Sequence, residues 1–103
     1  MKHYILNGTE VVAVDMMTWA VWFQKAERIV AKSDVADGII VSTVFLGMDH
    51  SFMGGPPLVF ETMCFGPNGE IGDAPFDRYS TWREAEIGHM KAVKELSEKL
   101  RLT

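Results

Sequence analysis

Three places in this chain hold side chains that could do chemistry. His89 falls in the middle of an apolar helical stripe, beside Gly88, where a neighbouring backbone could approach closely. A histidine so placed is either a buried group satisfied by one or two hydrogen bonds, or the floor of a pocket where it binds a ligand or carries a proton. Glu61 lies within a strand pattern whose two sides, Leu58, Phe60, Thr62, Cys64 and Val59, Glu61, Met63, Phe65, are both apolar. Burial and exposure are therefore both open for it. If buried, it requires a proton or a cation, and the partner must come from Arg28, Arg78 or His89. Asp49-His50 ends an apolar run just ahead of Gly54-Gly55-Pro56-Pro57. Strand ends of this kind often carry function, although a polar turn is the plainer reading.

These residues do not compose a known catalytic motif. Asp49, His50 and Ser51 are adjacent, and a triad is recognised by geometry, not by order. His50, His89 and Glu61 leave a metal site geometrically open, but without H-x-H or H-x₃-H spacing nothing supports it. Cys64 has no neighbour that would activate a thiolate. Neither G-x-x-x-x-G-K nor G-x-G-x-x-G occurs, so no standard nucleotide fold is marked. The candidate ligand-binding set is Asp49, His50, Glu61, Arg78, His89 and Arg28, with no catalytic residue, metal or cofactor assigned.

Local patterning predicts the elements that would position this set. Asn7-Gly8 between short apolar runs predicts a hairpin, with Leu6 opposite Thr9, Tyr4 opposite Val11 and His3 near Val12 at a sheet edge. Asp15 is the expected N-cap of a helix over 16–31. Its inner face is Met16, Trp19, Trp22, Phe23, Ala26, Ile29 and Val30, with Met17 and Val21 projecting outward. The SDVADG segment, 33–38, reads as a polar connector. IIVSTVFLG and LVFETMCFG then form the two strands of a long-looped hairpin across 39–65, one register of which sets Thr43 opposite Glu61. Pro67 and Asn68-Gly69 predict a turn, and a short edge strand would end at Arg78-Tyr79. Thr81-Trp82-Arg83-Glu84 is a capping box opening a helix to about Leu100. Its stripe is Trp82, Ala85, His89, Ala92, Val93, Leu96 and Leu100. The expected fold is one α+β domain of two layers, an antiparallel sheet of four or five strands with two helices, in the order ββα ββ(β) α.

Composition narrows the partners. At 103 residues, 48% of them hydrophobic, the chain can bury a core without staples. One cysteine excludes a disulfide framework and fits a reducing, cytoplasmic setting. No run approaches membrane-spanning length, and the start lacks a signal-peptide core. Between Ser33 and Asp77 there is no Lys or Arg, whereas Asp34, Asp37, Asp49, Glu61, Glu70 and Asp73 fall there. An acidic middle repels a nucleic-acid backbone, and the lysines of the last helix alternate with glutamates. Direct nucleic-acid binding and membrane binding are therefore not expected.

VSTVFLGMDH (41–50), GGPPLVFETMCFG (54–66) and RYSTWREAEIGH (78–89), with YILNG and WAVWFQKAERIVAK, resemble a group of small proteins of unassigned function from tailed bacteriophages and prophages. The resemblance implies the cytoplasm of an infected bacterium and an accessory role, and it carries no active site onto any residue. Scaffold and pocket ingredients without a convincing reacting group favour a binding module. Such a module would block a host defence protein or sequester a small signalling molecule such as a cyclic nucleotide. A nucleotide would need Arg28, Arg78, Arg83 or a lysine at the pocket rim. The alternatives are a small hydrolase or phosphodiesterase using His50, His89 and Glu61, and a minor virion component. A homodimer through the Met17/Val21 face or a sheet edge is the expected assembly.

Overall fold

The computed structural model describes residues 2–101. Alternating apolar residues separated by turn chemistry build seven strands around two helices. β1 (His3–Asn7) and β2 (Glu10–Val14) form a separate antiparallel hairpin, followed by α1 (Met16–Lys25). The main sheet contains β3 (Ile29–Ala36), β4 (Ile39–Phe45) and β5 (Phe60–Gly66) as antiparallel neighbours. The far side of β5 is shared by β6 (Gly69–Glu70) and β7 (Asp77–Tyr79). α2 (Trp82–Arg101) closes the chain and covers one face of the sheet. The class is α+β, as the sequence predicts.

Both helix starts are held as their sequences dictate. Thr18 N–H donates to Asp15 Oδ1 at 2.7 Å. In the capping box, Glu84 N–H donates to Thr81 Oγ1 and Thr81 N–H to Glu84 Oε1, both at 3.1 Å. The core divides into two clusters beneath α2. Phe45, Val59, Phe60 and Ala85 with Tyr4 form one, and Val41, Cys64, Ala92 and Leu96 form the other.

Five expectations are corrected. α1 ends at Lys25 instead of continuing to 31, and the 33–38 connector belongs largely to a strand. Ala26, Ile29 and Val30 do fit helical spacing, but pairing with β4 wins. Ala26 turns extended, Arg28 C=O accepts from Phe45 N–H at 2.8 Å, and Ile29 is left half-exposed. Asp37-Gly38, with Gly38 at φ 73°, supplies the turn into β4. The first hairpin turns on Gly8-Thr9, one residue later than expected. Gly8, at φ 64°, occupies the first central position as in a type II′ turn, so Leu6 faces Val11 and Tyr4 faces Ala13. The central register is shifted by one, placing Thr43 opposite Thr62 and Val44 opposite Glu61. Finally, α1 does not lie across the sheet as a second covering helix. It packs on β1 and reaches the sheet's end through Trp22, whose ring meets Phe45 edge-on at 5.7 Å.

Candidate functional site

The six candidate residues are dispersed: apart from the chain neighbours Asp49 and His50, Glu61 and Arg78 are the pair brought together. On β5, consecutive side chains alternate across the sheet. Thr62 faces α2, while Glu61 points to the opposite face and accepts from Arg78 Nε at 3.0 Å. The pair is part-buried, with side chains 12% (Glu61) and 28% (Arg78) exposed. Of the cations the sequence offered to Glu61, Arg78 is the one that reaches it, because β7 pairs with β5 and sets the two residues opposite each other. Arg28 instead stacks over the Phe23 ring at 4.1 Å, at the junction of α1 and β3. Asp49 and His50 stand at the base of the 46–59 loop. His89 is buried under α2, across the sheet from Glu61.

His89 sits in a chain of neutral polar groups. Its Nε2 lies 2.8 Å from Ser33 Oγ and its Nδ1 2.7 Å from Thr43 Oγ1. Thr43 Oγ1 is 2.5 Å from Thr62 Oγ1, which accepts from the Tyr79 hydroxyl at 3.0 Å. One arrangement uses each hydrogen along the path once. Tyr79 donates to Thr62, Thr62 to Thr43, Thr43 to Nδ1, and the Nε2 hydrogen goes to Ser33. A proton on Nδ1 would reverse the Thr43 bond and drive two donors at Thr62. Burial independently pushes His89 below its ordinary value of 6.5. Burial pushes the Tyr79 hydroxyl the other way, above its ordinary value, so it keeps its proton.

The sequence alone could not reveal this chain, because Ser33 and His89 are 56 residues apart. It did offer one signal, Gly88. A Cβ there would collide with the Tyr79 ring, so glycine in mid-helix is what lets Tyr79 reach Thr62. Beside Tyr79, a cleft of about 140 Å³ is lined by Thr62, Phe76, Asp77, Lys91 and Glu95 among others. Its one lysine is matched by two carboxylates, a poor setting for an anionic nucleotide. Cys64 is buried with its thiol pushed up by desolvation, and its Sγ lies 3.4 Å from Pro75 O. Among the described residues, no three His, Cys, Asp or Glu side chains converge as metal ligands. No helix among them is long and apolar enough to cross a membrane.

The 46–59 loop has a different character. Asp49 Oδ1 accepts from Ser51 N–H at 2.8 Å and Leu58 N–H at 2.9 Å, and these bonds hold its carboxyl below the usual range. His50 N–H donates to Leu58 C=O at 3.0 Å, and Leu46 N–H to Val59 C=O at 2.6 Å. Gly47, at φ 79°, is wedged against the Trp19 and Phe23 rings, and its C=O accepts from Tyr4 N–H at 2.9 Å. This tied base carries Phe52 and Met53, which are 92% and 96% exposed. In the sequence, Phe52 falls in the middle of the long loop between the two strands of the 39–65 hairpin. A Phe-Met pair ahead of Gly-Gly-Pro-Pro was the available signal, since those turn residues give large apolar side chains no strand or helix through which to bury.

The fold and loop together define a small α+β scaffold with a projecting apolar loop. Compared with protein-family models, curated proteins and solved structures, the chain matches none.

Proposed function

We propose that this protein acts by binding another protein, with Phe52 and Met53 as the anchor that enters an apolar pocket of the partner. The observation that carries this reading is the near-complete exposure of two large apolar side chains on a loop whose base is hydrogen-bonded and packed. Aromatic side chains and methionine are enriched where interfaces concentrate their energy, and a pre-ordered base lowers the entropic cost of docking. The loop lies in the segment that lacks Lys and Arg and carries Asp49 at its root, so a pocket with a basic rim complements it. In the infected bacterial cell implied by the phage resemblance, the partner would be a host protein, and occupation of its pocket would block it. Sequestration of a cyclic nucleotide gains no support from the mixed-charge cleft beside Tyr79. A hydrolase built on His50, His89 and Glu61 would need groups that lie apart, two of them on opposite faces of the sheet.

The test replaces Phe52 with a photo-cross-linking phenylalanine analogue in producing cells. The expected result is one discrete cross-linked partner, competed away by excess unmodified protein but not by the variant that combines Phe52→Ser and Met53→Ser. A partner complex that survives the double substitution unchanged overturns the reading.

A further inference from the structure

β3 is the outermost strand of the main sheet and is paired on one side only, with β4. Phe45 N–H donates to Arg28 C=O, and Leu46 N–H donates to Val59 C=O on the other side. Odd-numbered residues of β4 therefore direct their peptide groups toward β3, and even-numbered ones toward β5. Thr43 and Val41, both odd, face Ala31 and Ser33. It follows that Lys32 and Asp34 turn their N–H and C=O groups out of the free edge. Their side chains are exposed on the sheet face opposite α2, and neither is ion-paired within the described residues. Register shifts between Ile29 and Ala31, and between Asp34 and Ala36, interrupt the regular strand on both sides of this pair.

We propose that the free edge of β3 pairs antiparallel with β3 of a second copy, about a twofold axis at Ser33, setting Lys32 of each chain opposite Asp34 of the other. Outward-turned residues can hydrogen-bond only to outward-turned residues, which leaves three registers. Lys32 on Lys32 and Asp34 on Asp34 oppose like charges, and directly opposed like charges destabilise a strand pair. Lys32 on Asp34 opposes unlike charges twice over, and each such pair exchanges two backbone hydrogen bonds. The charge order of this edge is thus complementary to itself, which selects a second copy over an unrelated strand.

The helices support the same axis. A twofold perpendicular to the sheet places both α2 helices on one face, antiparallel and flanking the axis. His89 reaches Ser33, the residue on the axis. At about 100° per residue, Glu86, Met90 and Val93 are the α2 positions that follow the core stripe toward β3. Met90 is 72% exposed in the single chain, and the neighbouring copy's helix would cover it.

Sedimentation velocity on the full chain tests this independently of the loop reading. The unmodified protein is expected to be a dimer. Lys32→Asp alone and Asp34→Lys alone each weaken the dimer about tenfold or more, because attraction becomes repulsion at both pairs. The combined swap restores it, and circular dichroism confirms folding throughout. A monomer at every concentration overturns the proposal, as does a dimer indifferent to the single swaps or not rescued by the double one. Dissociation of the dimer by Phe52→Ser with Met53→Ser would place the contact at the loop and also overturn it, whereas loss of partner binding with the dimer intact leaves it standing.

Discussion

Glu61 and Thr62 are neighbours in sequence, yet the two faces of β5 treat polar groups by opposite rules. On the α2 face every polar side chain of the chain from Ser33 to Tyr79 is neutral, and each passes a hydrogen bond to the next. On the other face a full ion pair, Glu61 with Arg78, sits partly in water. The difference follows from solvent. An ionised group sealed under a helix loses hydration that few partners can replace, whereas a half-exposed pair keeps part of it. Hydroxyls and one neutral imidazole are what the covered face can hold.

The comparison can be broken most severely at His89. His89→Ala should cost on the order of 3 kcal/mol or more in urea unfolding, since it removes the acceptor of the Thr43 hydrogen and the partner of Ser33 and opens a cavity. If the loss is below about 1 kcal/mol, the chain is not a stabilising network. The same residue makes a pH prediction. Its folded pKa lies below the unfolded value, so the unfolded state binds more protons in the window beneath about 6.5. Stability should therefore fall as pH drops through that window, by at most about 1.4 kcal/mol per pH unit from this group. His89→Gln should remove that component, and a pH dependence unchanged in the variant would assign it elsewhere.

Gly88→Ala comes next. Helix propensity alone predicts a gain of about 1 kcal/mol. Collision with Tyr79 should reverse the sign and give a loss of about 1–2 kcal/mol, together with changed tyrosine fluorescence. Glu61→Gln should have the smallest effect, about 1 kcal/mol or less and reduced further by salt, because its partner is more than a quarter exposed. A larger loss there would mean that the open face is less wet than the exposures of Glu61 and Arg78 indicate.

What the sequence disclosed divides along a physical line. Features set by neighbours in the chain were legible: the Asp15 cap, the Thr81–Glu84 box, a first hairpin with a two-residue turn, though one residue later than Asn7-Gly8, and the burial of His89 within its stripe. Features set by distant partners were not. Residues 26–31 satisfy helical spacing, and only the hydrogen bonds offered by β4 turn them away from it. Ile29-Val30 and Asp37-Gly38 did carry the competing signal, a β-branched start and a turn. The one-residue register shift goes with cross-strand chemistry, since it opposes Thr43 to Thr62 and lets Thr43 link Thr62 to His89. Of the candidate set, the Glu61–Arg78 contact was within reach of sequence reasoning because it needed only a scarce cation. The exposure of Phe52 left only a weak trace, its place beside Met53 ahead of Gly-Gly-Pro-Pro, since an apolar residue in a loop reads equally as core or as surface.

Gly47 has a mechanical consequence. Its carbonyl holds β1 through Tyr4, its missing side chain makes room for Trp19 and Phe23 of α1, and the next residue, Met48, bridges to His3. A pull on the loop tip therefore runs down to a joint that the amino-terminal hairpin and its helix share, and these are anchored in the core as well, through Tyr4 and Trp22. The loop base is thereby braced by the amino-terminal unit, and a partner gripping Phe52 would feel the stiffness of that joint as well as that of the loop.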